Sequence, residues 1–378
     1  MDLGLYVHLP FCRSKCPYCD FNSYPLPEKQ IIKNYIHALY EEIDIYSKKL
    51  KNVLLKSIYF GGGTPTVFSG FEINNLLNYC KSNFKIDNAI EITIEANPGT
   101  INRKKIEILF QSGINRISLG GQSFNDRILK RIGRIHSSED IIRSYFQARE
   151  AGFCNINLDI IYALPDQSLK DLKTTLFKAV DLRPEHISIY GLTISPGTKF
   201  YLDAQKNLLN LPSEDIEFEM FRWAINYLKK NDYEHYEISN FALPRKRSVH
   251  NQIYWNNLPY LGIGAGAFSY INGYRYGNIK KPAEYIRRLS KGKLPIEQGE
   301  RLSLKKKMSE TIILWLRTRD GVNYEKFHQR FKTNLHQLFG LQIEELKKSK
   351  LIEEDTYSFR LSEKGIFLAN KVFEEFII

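Results

Sequence analysis

The sequence predicts an α/β fold: a partial (β/α)6 barrel followed by a small α+β, winged-helix-like C-terminal domain. Three observations predict it. Short β-branched runs alternate with stretches of helical periodicity along the first half of the chain, the pattern of a parallel sheet covered by helices. The unusual residues gather at the ends of those runs, on the carboxyl rim where parallel barrels place their chemistry. Beyond residue 300 the order changes to several helices and a short strand pair.

Taken in order, the runs "LGLYVHL" (3–9), "LLKSIYF" (54–60), "IEITIEA" (90–96), "NRISLG" (115–120), "NINLDIIY" (155–162) and "HISIYGLT" (186–193) read as buried strands. Between the first two, Ile32, Tyr35, Ile36, Leu39, Tyr40 and Ile43 lay one apolar stripe on a helix. Ile141, Ile142 and Tyr145 begin a stripe before the fifth strand, and Leu169, Leu172, Leu176, Phe177 and Val180 form another before the sixth. Gly113 and Gly152 fall between helix and strand, where a left-handed cap is wanted. No strand opens a dinucleotide-type glycine fingerprint, so an open nucleotide-binding sheet loses ground to a barrel. After Pro212, "SEDIEFEMFRWAINYLKK" places acids in the first turn of a helix and lysines in its last, as the helix dipole prefers. A Gly- and aromatic-rich stretch covers 233–280, and the helices and strand pair of the final unit follow. The expected divisions are a barrel over 1–210, an extension over 211–299 and the winged-helix-like domain over 300–378.

The formal charge of +12 admits an anionic partner, but no long basic block concentrates it; Arg245-Lys246-Arg247 is the densest stretch. The N-terminal "MDLGLYVHLPFC" lacks the pattern of a secretory signal, and no run of about 18 apolar residues suggests a membrane span. Five cysteines, three of them clustered, do not make an extracellular disulfide framework. A cytoplasmic protein is expected.

Those three, Cys12, Cys16 and Cys19, form C-x3-C-x2-C just after the first strand. Cys80 and Cys154 do not supply a second pair, as a structural zinc site usually would. Three neighbouring thiolates suit a cubane iron–sulfur cluster with one iron left open. Zinc with His8 or Asp20 as fourth ligand is the competing arrangement.

With "YVHLPFC", "YFGGGTPT", "IEANPGT", "NRISLGGQSFND", "GRIHS" and "LDIIYALPDQS" following in order, the chain resembles the radical S-adenosylmethionine (SAM) superfamily. Within it, the chain resembles the branch that contains oxygen-independent coproporphyrinogen III oxidase and the heme chaperone HemW. The resemblance runs over nearly the whole chain. It implies that Cys12, Cys16 and Cys19 bind three irons of a 4Fe–4S cluster while SAM chelates the fourth. It also implies that Gly61, Gly62 and Gly63 are small to let the methionine moiety approach, that Thr64 adds a hydroxyl, and that Tyr6 and Tyr18 contact the cofactor. Glu95, Gln122, Arg134 and Asp159 match the polar SAM contacts. Two departures stand out: Ala163 where the family commonly has glycine, and "GGQS" in place of "GVQS".

The oxidase carries a further cysteine where this chain has Phe21 and requires a second cofactor. "HNQIYW" (250–255) instead matches the HNxxYW signature of the heme chaperone. His250 has the imidazole that heme iron accepts, and Tyr254 and Trp255 are placed to lie against a macrocycle. The resemblance therefore implies a heme chaperone with a cluster and SAM, handing heme to an acceptor protein, with an electron donor that the sequence does not identify and with a positive surface suited to heme propionates or an anionic membrane. The oxidase, coproporphyrinogen decarboxylation by a 5′-deoxyadenosyl radical, is the alternative enzyme. A nucleic-acid-binding winged helix is a third reading, disfavoured because Glu344 and Glu345 sit beside Lys347 and Lys348. "YLGIGAGAF" (260–268) lacks the setting of a nucleotide loop and predicts close backbone packing.

Overall fold

The computed structural model describes residues 1–378. Its main sheet has twelve strands and stays open. At its centre the six expected strands, Asp2–Leu9, Leu54–Gly62, Lys85–Ala96, Arg116–Gln122, Ile156–Tyr162 and His186–Gly191, lie side by side in chain order and parallel. This is the partial barrel. A seventh parallel strand, Tyr260–Ile263, pairs with the outer side of Asp2–Leu9, with Gly4 opposite Tyr260 and Val7 opposite Ile263. The first strand is thus enclosed between a neighbour some fifty residues on and another from the chain's last third.

Antiparallel strands extend both edges. Phe268–Ile271, Tyr274–Asn278 and Ile296–Arg301 continue from Tyr260–Ile263, while Asn240–Ala242 and Glu234–Glu237 continue from His186–Gly191. The "YLGIGAGAF" stretch packs backbone on backbone. A Cβ at Gly262 would fall 2.1 Å from the Phe268 carbonyl, and one at Gly264, whose φ is +101°, 2.5 Å from the His8 carbonyl.

Helices are fixed by local chemistry. Capping boxes at Ser69/Glu72, Ser137/Asp140 and Ser168/Asp171 start three of the crossover helices, each worth about 1 kcal/mol over an uncapped end. Gly152, at φ +110°, ends the helix Ser138–Ala151 in the left-handed region. No helix is long and apolar enough to cross a membrane.

The central strands alternate two kinds of face. One is apolar and lies under the helices: Leu5 and Val7, Ile58 and Phe60, Ile92 and Ile94, Ile117 and Leu119, Leu158 and Ile160, Ile187 and Ile189, all essentially buried. The other face is polar and turns inward: Ser57 and Tyr59, Glu91 and Glu95, Arg116 and Ser118, Asn157 and Asp159, His186 and Ser188. Its members hydrogen-bond across strands, as Asn157 does with Ser118 and His186 with Asn157, and along a strand, as Asn157 does with Asp159. Burying so many polar groups is tolerable because each strand supplies its neighbour's partner.

The C-terminal unit has the expected helices, Leu304–Leu316, Tyr324–Phe331 and Leu335–Lys348, with the strand pair Ile352–Glu354 and Ser358–Leu361. A third strand, Val322–Asn323, joins the pair; two residues are too few to show any periodicity in sequence. Two short helices, Glu363–Phe367 and Ala369–Glu374, close the chain. Phe327, Phe359 and Phe376 belong to one hydrophobic cluster continuous with the main sheet's core.

Two adjoining cavities on the carboxyl rim

Cys12, Cys16 and Cys19 line one cavity of about 500 Å3 at the carboxyl ends of the central strands. Their loop is tied at its base, where Phe11–Cys12 pairs with Tyr24–Pro25. It is also tied at its far end: the Asn22 amide donates to the carbonyls of Ala265 (2.9 Å) and Lys280 (3.1 Å). Thr64 donates to the Cys12 sulfur at 3.4 Å and Arg134 to that of Cys16 at 3.5 Å. Burial pushes the Cys12 and Cys19 thiols up, and mutual repulsion among the cysteines adds to it.

The same cavity is lined by Tyr18, Gly62, Gly63, Thr64, Glu95, Gln122, Arg134 and Asp159. Asp159 accepts from Ser118 (2.8 Å) and Asn157 (2.8 Å), Glu95 from the Tyr59 hydroxyl (2.8 Å) and the Gly62 amide (3.2 Å). Burial, with the charge of Asp159 opposing ionisation further, raises Glu95 to about 7 despite the Tyr59 and Gly62 donors. The side-chain oxygen of Gln122 and the Nε of Arg134 are buried without a protein partner. Ser118, Asn97 and Tyr190 also line the cavity and were not anticipated.

Tyr6 stands on the wall of an adjoining second cavity, its ring against Gly61 and its hydroxyl donating to His8 Nδ1 at 3.0 Å. The glycine run lines the thiol-lined cavity through Gly62 and Gly63 and is also required small by the protein's own packing. A Cβ on Gly61 would meet Tyr6 and Tyr59 at 2.9 Å, on Gly62 the His8 ring at 2.7 Å, and on Gly63 the Phe11 carbonyl at 2.8 Å. Tyr59 lines the thiol-lined cavity and Tyr6 and His8 the adjoining one, so the contacts of Gly61 and Gly62 belong to the cavity walls.

The donor set fits a cluster better than a single ion. The thiols are not gathered tightly enough, with any His, Asp or Glu, to hold one metal ion, whereas a cubane spreads its cysteines over three irons. His8 is already committed through Nε2 to the Asn22 carbonyl at 2.9 Å, and Asp20 accepts from Ser195 at 2.9 Å, so neither completes a zinc site. Thiols held protonated by burial become thiolates once a cationic cluster binds. The orphaned polar atoms of Gln122 and Arg134 fit a polar cofactor beside it.

The second cavity, about 640 Å3, adjoins the first and shares Asp20, Phe21, Gly62 and Glu95 with it. Its wall carries the aromatic rings of Tyr6, Tyr254, Trp255, Tyr260, Phe268 and Tyr270, with Lys280 and with Arg275, which is paired to Glu300 (2.6 Å) and to the wall residue Glu310 (2.9 Å). Tyr254 and Trp255 arrive on the helix Val249–Trp255. Glu91, unanticipated from sequence, holds that helix's start: its carboxylate accepts from the Ser248 hydroxyl and from the amides of Val249 and His250 at 3.0–3.2 Å.

His250, at the start of the same helix, lies behind the wall. It is buried beneath the cavity, with Nδ1 bonded to Ser57 Oγ at 2.7 Å and Nε2 to the Tyr254 hydroxyl at 2.8 Å. Burial, with the Arg116 charge, lowers its pKa to about 3, so the ring is neutral. With both nitrogens engaged it presents none to a ligand; Tyr254 is the group it positions at the cavity wall.

Comparison with known proteins agrees with this architecture. Residues 6–179 match the radical SAM superfamily and residues 302–368 the HemN C-terminal domain. The heme chaperone HemW of Lactococcus lactis is 40% identical, covering 99% of this chain and 97% of its own. That of Bacillus subtilis is 36% identical with 98% of each chain covered. Among solved structures, coproporphyrinogen III oxidase (HemN) of Escherichia coli superposes with a TM-score of 0.87 at 25% identity, covering 99% of this chain and 89% of its own.

Proposed function

The chain belongs to the HemW heme chaperone family of the radical SAM superfamily, and from that premise we propose that it binds heme in the aromatic cavity and passes it to an acceptor protein. The observation that carries this reading is the juxtaposition of the two cavities. The thiol-lined cavity has the donor set for a 4Fe–4S cluster and SAM; the aromatic one beside it has ring surfaces for a macrocycle and cations for its carboxylates.

In this reading Cys12, Cys16 and Cys19 hold the cluster, which supplies an electron-transfer centre with an iron open to the amino and carboxylate groups of SAM. Glu95, Gln122, Arg134 and Asp159, with Tyr18, Gly62, Gly63 and Thr64, hold SAM. Tyr254 and Trp255 lie against heme, and Arg275 and Lys280 face its propionates. His250, locked between Ser57 and Tyr254, orients the Tyr254 hydroxyl and stays neutral. Phe21, 64% exposed and on the shared wall, presents a ring where the oxidase has a thiol. This substitution favours holding a porphyrin over reacting with it.

Titration of the anaerobically prepared protein with hemin tests the proposal. A saturable Soret shift is expected, and Trp255→Ala should weaken it on the order of tenfold through lost ring contact. Absence of a Soret change in the unaltered protein overturns the reading. Conversion of coproporphyrinogen III to protoporphyrinogen by the reconstituted protein would replace it with the oxidase.

A further inference from the structure

Behind the motif helix lies a third cleft, about 360 Å3, between the main sheet and the C-terminal unit. Helix Val249–Trp255 has two working faces. Tyr254 and Trp255 line the aromatic cavity, with His250 buried behind Tyr254; Gln252 and Asn256 line this cleft.

The cleft is rich in donors and poor in acceptors. Arg247, Arg319, Lys326 and Arg360 line it, against Asp320 as the lone lining carboxylate. Asp320 is already taken by Arg247 at 2.9 Å, and Arg360 leans on Asp355 at 2.7 Å. Arg319 has no carboxylate within ion-pair distance; its guanidinium reaches only the Leu361 carbonyl, at 2.6 Å. Lys326, exposed at the start of helix Tyr324–Phe331, has no ion pair either. Burial lowers the pKa of Arg319, the mark of a cation short of compensation. Trp315 adds a buried indole N–H without an acceptor on the same wall.

We propose that this cleft is a binding site for a small phosphate-bearing anion, held by Arg319 and Lys326 with Arg247 and Arg360 at its sides. The chemistry follows from the donor set. Guanidinium forks and an ammonium around a pocket of small-molecule size match an oxyanion with several acceptor oxygens and more than one negative charge. The cleft's enclosure between two units of the fold suits a compact ligand over a polynucleotide strand. A ligand here touches the helix that presents Tyr254 and Trp255, so its occupancy bears on the aromatic cavity from behind. The site itself stands whether or not that cavity takes heme.

Inorganic pyrophosphate, titrated calorimetrically into the full chain at low salt, is the probe. Saturable one-to-one binding is expected, with a change in tryptophan emission from Trp315. Lys326→Gln, at an exposed position where folding is not at risk, and Arg319→Gln should each weaken binding by on the order of tenfold, the loss of one charge-assisted contact. Hemin titration of the same variants reports separately on the aromatic cavity. The proposal falls if pyrophosphate does not bind, if both variants bind it as well as the parent, or if a single-stranded oligonucleotide binds at the cleft and pyrophosphate fails to displace it.

Discussion

The two adjoining cavities are built in opposite ways. The thiol-lined one takes its residues from the ends of consecutive parallel strands and one short loop, so its polar groups are delivered in register by the sheet. The aromatic one is assembled from Tyr6, Tyr254, Phe268, Arg275 and Leu314, drawn from the first strand, a separate helix, the antiparallel extension and the C-terminal unit. The first is polar, with orphaned atoms and suppressed thiols; the second is apolar with cations. The first cavity is therefore set by the register of consecutive parallel strands, and the second by how the first strand, the motif helix, the antiparallel extension and the C-terminal unit pack together.

The sharpest way to break the comparison is Cys12→Ala. Iron and sulfide incorporation on anaerobic reconstitution should fall to background, while the Soret response to hemin persists; if both vanish, the cavities are one site. Next in size is Glu91→Ala, which leaves three donors at the motif helix without their acceptor and Arg116, 2% exposed with its Nε 4.0 Å from the carboxylate, without a counter-charge. A loss of about 3 kcal/mol in unfolding free energy is expected, with hemin binding impaired and cluster loading retained. An unchanged denaturation midpoint would show that Glu91 does not hold the helix.

Smaller is a pH effect at Glu42, which stands behind the extension and accepts from the Gly264 amide, the Asn278 amide and Tyr285. Burial raises it from 4.5 to about 7, outweighing these donors. The folded state therefore binds this proton more tightly than the unfolded state does. The contribution to stability is full below about 4.5 and is lost as pH rises through about 7. Chemical denaturation from pH 4.5 to 8 should show that decline, and Glu42→Gln should reduce it, leaving the part contributed by Glu95, which burial likewise raises to about 7. The smallest effect is Ala163→Gly at the rim of the thiol-lined cavity, where φ is +58°. Relief of left-handed strain should add about 1 kcal/mol to stability, measurable as a raised midpoint with cluster loading unchanged.

What the sequence makes legible follows the same division. Cys12, Cys16 and Cys19 are local and can be read from spacing; Glu95 and Gln122 at strand ends and Asp159 in the middle of Ile156–Tyr162 are legible only through the family motifs that carry them. Glu91 was within reach: Glu91, Thr93 and Glu95 alternate with Ile92 and Ile94, and a strand with one polar face inside a barrel announces itself by that period. The strand Tyr260–Ile263 was hidden because four residues in a glycine-rich stretch carry no period. The aromatic cavity was legible only through the HNxxYW signature, since contacts between Tyr6 and residues more than two hundred positions away leave no local trace. That signature named His250, yet its ring nitrogens are spent inside the fold, and only the packed structure reveals this. The smallness of the glycine run can be read from the sequence, whereas its crowding against His8 and Phe11 shows only in the packed structure.

The enclosure of Asp2–Leu9 between Leu54–Gly62 and Tyr260–Ile263 has a consequence for biosynthesis. That strand gains its second partner only when the chain has grown past residue 263. At about 5–20 residues per second, its edge waits unpaired for roughly 13–50 s. During that interval a nascent polypeptide carries an unfilled hydrogen-bonding row next to its cysteine loop, so insertion of iron and sulfur into a fully tied loop belongs after the chain has passed residue 280, when Asn22 has found the carbonyls of Ala265 and Lys280.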